Sequence, residues 1–240
     1  PGPNRENPRR MVQPAINVAT QAAHAAGEHM RRKLRNIDAI PVSRKARHDY
    51  VSEVDRACED IIVSQIRRYY PDHAFLGEEG GAQGEGNIVW IIDPLDGTSN
   101  FLHGIPQFAV SIAQSVNGRL EHGVIYDPMR DELFTASRGK GATLNQRRIR
   151  VSQRQTLDEA ILATAFPFRR RALMPRYTRL FSAVFKQIED IRRGGSAALD
   201  LAWTAAGRLD GFFEIGLNAW DVAAGTLIVR EAGGVVTDFE

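Results

Sequence analysis

Residues 90–98 read Trp90-Ile91-Ile92-Asp93-Pro94-Leu95-Asp96-Gly97-Thr98. The apolar run from Ile88 to Ile92 has the composition of a buried strand. Asp93-Pro94 is expected to stop that strand, because proline fixes φ and brings no N–H to a ladder. Asp96 then adds a second carboxylate, and Gly97 permits a tight turn from which Thr98 can open a helix. Two acids thus leave the end of a core strand together, beside the free N–H groups of a helix start. Hard divalent cations take such oxygen clusters, and helix N-termini take phosphates. A capped strand-to-helix turn would carry the same local sequence, so this stretch alone leaves both readings open.

Outward from here the chain mixes helical and alternating patterns. Apolar residues at helical spacing predict a helix from about 14 to 35, with arginines suited to its C-terminal dipole. A polar linker is expected through His48. Ser52 and Asp55 form a helix-start signature, and Pro71 ends the helix they open. Strands are expected near 74–77, 88–92, 108–116, 120–126, 132–136 and 142–150, with Asn117-Gly118 as a hairpin turn. The second half predicts strand 160–165, helices 175–188 and 196–206, strand 210–215, helix 220–232 and strand 234–239. The fold class expected is α/β, an α+β layered sandwich of alternating helix and sheet layers. Residues 1–10, polar and rich in Pro, Asn and Arg, read as a disordered extension. Residues 11–240 read as a single domain.

Composition narrows the class. Hydrophobic residues make up 43% of the 240, enough for a sizeable core, and the net charge of +2 gives little reason to expect nucleic-acid binding. The single cysteine, Cys58, excludes an internal disulfide framework and points to a reducing cytoplasm. No apolar run approaches the length of a membrane span. The six histidines lack zinc-ligand spacing.

Two further acidic segments sharpen the reading. Phe75-Leu76-Gly77-Glu78-Glu79-Gly80 is a second short apolar run ending in carboxylates, and Trp220-Asp221-Val222-Ala223-Ala224-Gly225 opens an Ala-rich helix with an acid. Gly-Glu-Glu, then Trp-Ile-Ile-Asp-Pro-Leu-Asp-Gly-Thr-x-Asn-Phe, then Trp-Asp-x-Ala-Ala-Gly, in that order, resembles the inositol monophosphatase family. The likeness runs from about Ile16 to the C-terminus. It is closest to the bacterial inositol-1-monophosphatases, through Val124–Arg130 and Gly211–Leu217. Relatives continue for roughly one strand and one helix beyond the pattern at Glu240, so a C-terminal strand and helix are expected to be missing here.

The resemblance implies a Mg²⁺-dependent, lithium-sensitive hydrolase of phosphate monoesters, with two to three ions per site. Glu78, Asp93 and the Leu95 carbonyl would hold one ion; Asp93, Asp96 and Asp221 would hold a second; a third would be reached through Glu78. Packing such acids without counter-ions is costly, since one like-charged pair ~4 Å apart repels by roughly 4 kcal/mol at an effective dielectric near ~20. Gly97 and Thr98 would bind phosphate at a helix N-terminus, with Asp96 and Asp221 also facing the substrate. Glu78 and Thr98 would orient and deprotonate a metal-activated water. The stretch Lys45-x-x-x-Asp49-Tyr-Val-Ser-x-x-Asp55 matches the family's mobile loop, where Asp49 would help bind the third ion and Lys45 would neutralise charge. Ala46 and Ser52 stand where relatives often carry Gly and Thr. On the alcohol side the Ala197 N–H and Glu214 would meet substrate hydroxyls, while Asn218 replaces a histidine of animal relatives.

Myo-inositol monophosphates are the leading substrates implied. Fructose bisphosphate, phosphoadenosine nucleotides and histidinol phosphate are alternatives. A two-fold homodimer is also implied, with Phe134, Phe166 and Phe168 as an apolar patch. A role of another class, as an adaptor for RNA or transcription proteins, would use Arg147-Arg148, Arg169-Arg170-Arg171 and Arg192-Arg193 as a basic surface. Solvated faces explain the same runs.

Overall fold

The computed structural model describes residues 13–37, 42–46 and 49–239, with side chains left aside for 42–46 and 49–51. The expectation for residues 1–10 lies outside the described residues. Element order is α1 (Ala15–Leu34), β1 (Val42–Ala46), β2 (Asp49–Ser52), α2 (Glu53–Tyr69), β3 (Ala74–Gly77), β4 (Gly81–Gln83), β5 (Ile88–Asp96) and α3 (Thr98–Leu102). Next come β6 (Ala109–Val116), β7 (Arg119–Asp127), β8 (Glu132–Ser137), β9 (Gly141–Leu144), β10 (Arg147–Arg148) and β11 (Ile161–Thr164). The chain ends with α4 (Met174–Phe185), β12 (Asp190–Arg192), α5 (Ala197–Ala205), β13 (Gly211–Phe213) and α6 (Ala219–Glu231).

An eight-stranded sheet runs in the order β10-β9-β8-β7-β6-β5-β3-β4. Its pairs are antiparallel except β3 with β5, which is parallel. Side chains alternate across it as the strand period requires. On β6, Val110 and Ile112 join the core under α1 and α2, while Ala109 and Ala113 face α5 and α6. The far side of α5 meets β13 of a three-stranded parallel sheet, β12-β11-β13. Tyr177 of α4 packs on that sheet by stacking near Phe213 and bonding Thr164. Helix and sheet layers therefore alternate, as the sequence implied.

Several expectations are corrected. β5 does not stop at Asp93-Pro94 but continues to Asp96. Asp93 faces Ser111 and Asp96 faces Ala109, so β5 spends one more residue than β6 over this interval. A bulge leaves a residue unpaired, and there the missing Pro94 N–H costs nothing. The bulge has a second effect. Residues three apart in a regular strand face opposite ways, whereas Asp93 and Asp96 emerge on the same face, toward α5 and α6.

The linker expected through His48 contains a strand, β1, which pairs antiparallel with β2 beyond it. The strand expected at 142–150 splits at Asn145-Gln146, both at positive φ, which reverses the chain into β10. Helix α4 ends at Phe185, short of the expected span, and β12 lies beyond it. Residues 234–239 form no strand: the Gly234 N–H turns back to Val229 O at 2.9 Å. Phe134 is fully buried, so it cannot belong to an exposed dimer patch; Phe166 is exposed. No helix among the described residues is long and apolar enough to cross a membrane.

Candidate metal and phosphate site

Parallel pairing explains how the acids meet. β3 and β5 run side by side with Gly77 opposite Ile92, and the Glu78 N–H continues the ladder to Ile92 O at 3.1 Å. Glu78 therefore leaves the sheet next to Asp93. Asp221 arrives from the opposite layer, in the first turn of α6, where its carboxylate accepts the Asn218 N–H at 2.6 Å. The carboxylate oxygens of Asp93, Asp96 and Asp221 all lie within 4.8 Å of one another.

Burial and mutual repulsion act on Asp93 and Asp96. Asp93 is buried and is held well above the usual carboxylate range, by burial first and then by Glu78, Asp96 and Asp221. Burial and the Asp221 charge push Asp96 up to about 7, despite donors from Ser196 and Ala198. Clustered buried acids without positive charge hold protons. A divalent ion would reverse the balance, and the donor set, all carboxylate oxygens without Cys or His, fits a hard cation of the Mg²⁺ kind.

Beside the acids lies the Gly97-Thr98 turn. Gly97 has φ +95°, and a Cβ there would lie 2.9 Å from Gln107 O, so only glycine fits without strain. Thr98 opens α3. Its hydroxyl lies 2.7 Å from Asp55 Oδ1 and 3.1 Å from Leu95 O. Asp55 also accepts the Ser52 N–H and hydroxyl at 2.7 and 2.5 Å. Burial raises the Asp55 pKa, against those hydroxyl donors. Asp55 reads from sequence as a helix cap and as the end of the loop motif that begins at Lys45; its second oxygen, serving Thr98, is what that reading missed.

The cleft has a volume of about 300 Å³ and also exposes Ala197, Glu214 and Leu217. Asp96 Oδ2 accepts the Ser196 hydroxyl at 2.6 Å and the Ala198 N–H at 2.7 Å, tying the end of β5 to the start of α5. Burial, then Asp96, Asp200 and Asp221, push Glu214 up to about 8. Asp200, buried behind Ser196, is likewise pushed up to about 8 by burial and Asp96. Neither Ser196 nor Asp200 stood out in sequence, since both sit inside an ordinary glycine-to-helix entry.

The basic runs are divided by the fold. Arg169, Arg171 and Arg193 line the cleft, and Arg169 Nη2 lies 3.4 Å from Glu78 Oε1. Arg192 pairs with Asp190, while Arg147 and Arg148 are exposed on an edge strand. Lys45 and Asp49 fall on β1 and β2, where β2 runs beside α3, but their side chains lie outside the described residues.

Comparison with known proteins agrees with this architecture. The Nus factor SuhB of Pseudomonas aeruginosa is 54% identical over 234 residues, covering 95% of this chain and 86% of that protein. The extragenic suppressor protein suhB of Bartonella henselae superposes with a TM-score of 0.90 at 48% identity, covering 93% of this chain and 86% of its own. An IMPase of Thermotoga maritima gives a TM-score of 0.85 at 37% identity, covering 93% and 85%. The model of the inositol monophosphatase family matches residues 11–240. With its three acidic motifs converging on one cleft, the chain belongs to the inositol monophosphatase family.

Proposed function

We propose that this chain is a Mg²⁺-dependent phosphatase that converts myo-inositol monophosphates and related polyol phosphates to free alcohol and phosphate, in a reducing cytoplasm. The observation that carries the reading is the trio Asp93, Asp96 and Asp221, with oxygens within 4.8 Å of one another beside the Gly97-Thr98 turn. Glu78, Asp93 and the Leu95 carbonyl would hold one ion, and Asp93, Asp96 and Asp221 would hold another. Glu78 would also hold a third with help from Asp49, while Lys45 would balance charge. When bound, the ions supply Lewis acidity that makes water a stronger acid and stabilises the leaving alkoxide.

The chain's own groups do the rest. The N–H groups of Gly97 and Thr98 hold the phosphate. Thr98, its hydroxyl proton directed to Asp55, accepts from the attacking water, and Glu78 takes that water's proton. The Ala197 N–H and Glu214 hold hydroxyls of the alcohol. The name IMPase carried by the Thermotoga maritima relative supports this substrate class.

The test is steady-state phosphate release with Mg²⁺ from a panel containing inositol monophosphates, fructose bisphosphate, a phosphoadenosine nucleotide and histidinol phosphate. Preference for inositol phosphates, loss with EDTA and inhibition by Li⁺ are expected. No hydrolysis of any member would overturn the reading, and preference for another member would reassign the substrate. We also propose a two-fold homodimer, in which Phe166 and not Phe134 supplies apolar surface; a monomer mass by light scattering would contradict it.

A second reading has its own support. A relative with 54% identity is named Nus factor SuhB, which favours an additional transcription-associated role with RNA or a protein partner. Of the arginines offered for it, Arg147, Arg148, Arg170 and Arg192 lie off the cleft lining, and Arg147 and Arg148 sit together on an exposed edge strand.

A further inference from the structure

Glu78 sits on the first residue of a short turn between β3 and β4. What fixes that turn comes from another layer. Glu59, buried in the middle of α2, reaches across to it. Its Oε2 accepts the Glu79 N–H at 2.9 Å and its Oε1 accepts the Gly80 N–H at 2.7 Å. Both oxygens of one carboxylate thus hold the two peptide units after Glu78. A Cβ on Gly77 would lie 2.4 Å from Glu59 Oε2, and one on Gly80 2.6 Å from Oε1. Glycines on either side leave room for the acid. Burying a carboxylate is unfavourable unless it is well bonded, so this one is set to grip backbone and not merely to fill space. Asp55, which accepts from Thr98, lies one turn earlier on the same helix, and residues four apart share a helix face. One face of α2 thereby reaches both Thr98 and the Glu78 turn.

We propose that Glu59 is a positioning residue for the metal centre: its carboxylate locks the 78–80 turn so that Glu78 is presented at a fixed place beside Asp93. The proposal rests on the reading of Glu78 as a ligand. The fold supplies a matched control. Glu231 grips the β8–β9 turn in the same way, accepting the Gly139 and Gly141 N–H groups at 2.8 and 2.7 Å. No residue of that turn lines the cleft.

The experiment titrates Mn²⁺ into the full chain, followed by its EPR signal, for the unaltered protein, Glu59→Gln and Glu231→Gln, with melting temperatures recorded in EDTA. The Gln side chain keeps the volume but turns an N–H₂ toward one backbone N–H in each case. Both variants should melt lower in EDTA. Glu59→Gln should weaken Mn²⁺ binding roughly ten-fold or more, as loss of a group supporting a ligand does, and Glu231→Gln should leave it unchanged. Equal Mn²⁺ affinity in the two folded variants would overturn the proposal. If the unaltered protein binds no Mn²⁺, the metal reading of the site itself falls. If Glu59→Gln does not fold, Gly80→Ala, which keeps Glu59 but pushes a methyl against its carboxylate, decides the matter: the same loss of affinity supports the clamp, and unchanged affinity overturns it.

Discussion

The Thr98 hydroxyl lies 2.7 Å from Asp55 Oδ1, joining residues 43 positions apart. Because this contact is shorter than the one to Leu95 O, the hydroxyl proton is directed at Asp55 and a lone pair is left to face the cleft. Asp55→Asn can present an N–H₂ to Thr98 and turn that proton round. It should lower kcat by about 100-fold, within the range for loss of a proton-transfer partner, with little change in KM. Thr98→Ala should behave alike. A pure KM effect in steady-state kinetics would assign Thr98 to phosphate binding alone.

Asp93 belongs to both proposed ion sites. Asp93→Asn should cost more than ~100-fold in turnover, about 3 kcal/mol of barrier. The same change removes a buried acid from a repelling cluster, so the metal-free protein should melt higher than the parent. Calorimetry in EDTA, set beside the phosphate-release assay, checks both. Lost activity with a lowered metal-free melting point would mean that Asp93 is structural first.

Protonation of the cleft gives a pH dependence. Asp96 is pushed up to about 7, and Glu214 and Asp200 up to about 8. The folded chain therefore keeps protons that the unfolded chain releases near pH ~4. Stability falls with pH wherever the native state binds the more protons. The metal-free protein should lose stability steadily between about pH 4 and 8, and Mg²⁺ should restore more at the upper end of that window than at the lower. A metal-free melting temperature that rises across the window would contradict the assignment.

Ser196 has two duties, capping α5 through the Leu199 N–H at 3.3 Å and donating to Asp96 at 2.6 Å. Ser196→Ala should cost about 1 kcal/mol of stability for the cap. It should also move substrate KM, because one of the two bonds that tie Asp96 to the start of α5 beside Ala197 is lost. Thermal melts and kinetics on one preparation test the pair; a stability loss with unchanged kinetics would confine Ser196 to capping.

Enzyme and adaptor readings separate by location. Asp221→Asn should abolish hydrolysis and leave partner binding intact. Arg147→Ser with Arg148→Ser, away from the cleft, should leave hydrolysis intact and weaken any RNA complex, whose affinity should fall steeply with salt. Replacing Arg169 instead should disturb catalysis, since it touches Glu78. A gel shift beside the phosphatase assay decides, and unchanged binding by the Arg147/Arg148 variant would remove those residues from the adaptor reading.

Much of this architecture was legible in the chain because periodicity is local. Helices α1, α2, α5 and α6 obey spacing and caps visible within a few residues, and Asn117-Gly118 marks its own hairpin. What escaped is set by partners distant in sequence. The bulge at Asp93–Asp96 exists only in register with β6, so Pro94 looked like a stop. Asp55 looked like a cap until Thr98 came to its other oxygen. A run of arginines looks alike whether its members line a cleft or face solvent, and only the fold separates Arg169 from Arg170. The acids themselves were found by motif, but the order in which they meet depends on which strands run parallel.

The parallel pairing of β3 with β5 constrains chain length. To run β5 beside β3 in the same direction, the chain after Glu78 must travel back the length of β3. It does so along β4 and then past the start of β3, where Gly84 packs near Ala74 and Gly86 near Asp72. This return path carries no cleft residue; its task is distance. Extra residues inserted at 84–87 should loop outward at little cost, because closure entropy grows slowly with length. Deletions there should be poorly tolerated, since a shortened return would favour β5 folding back as an antiparallel hairpin and would separate Glu78 from Asp93. Among descendants of this chain, the return path is free to grow and not to shrink.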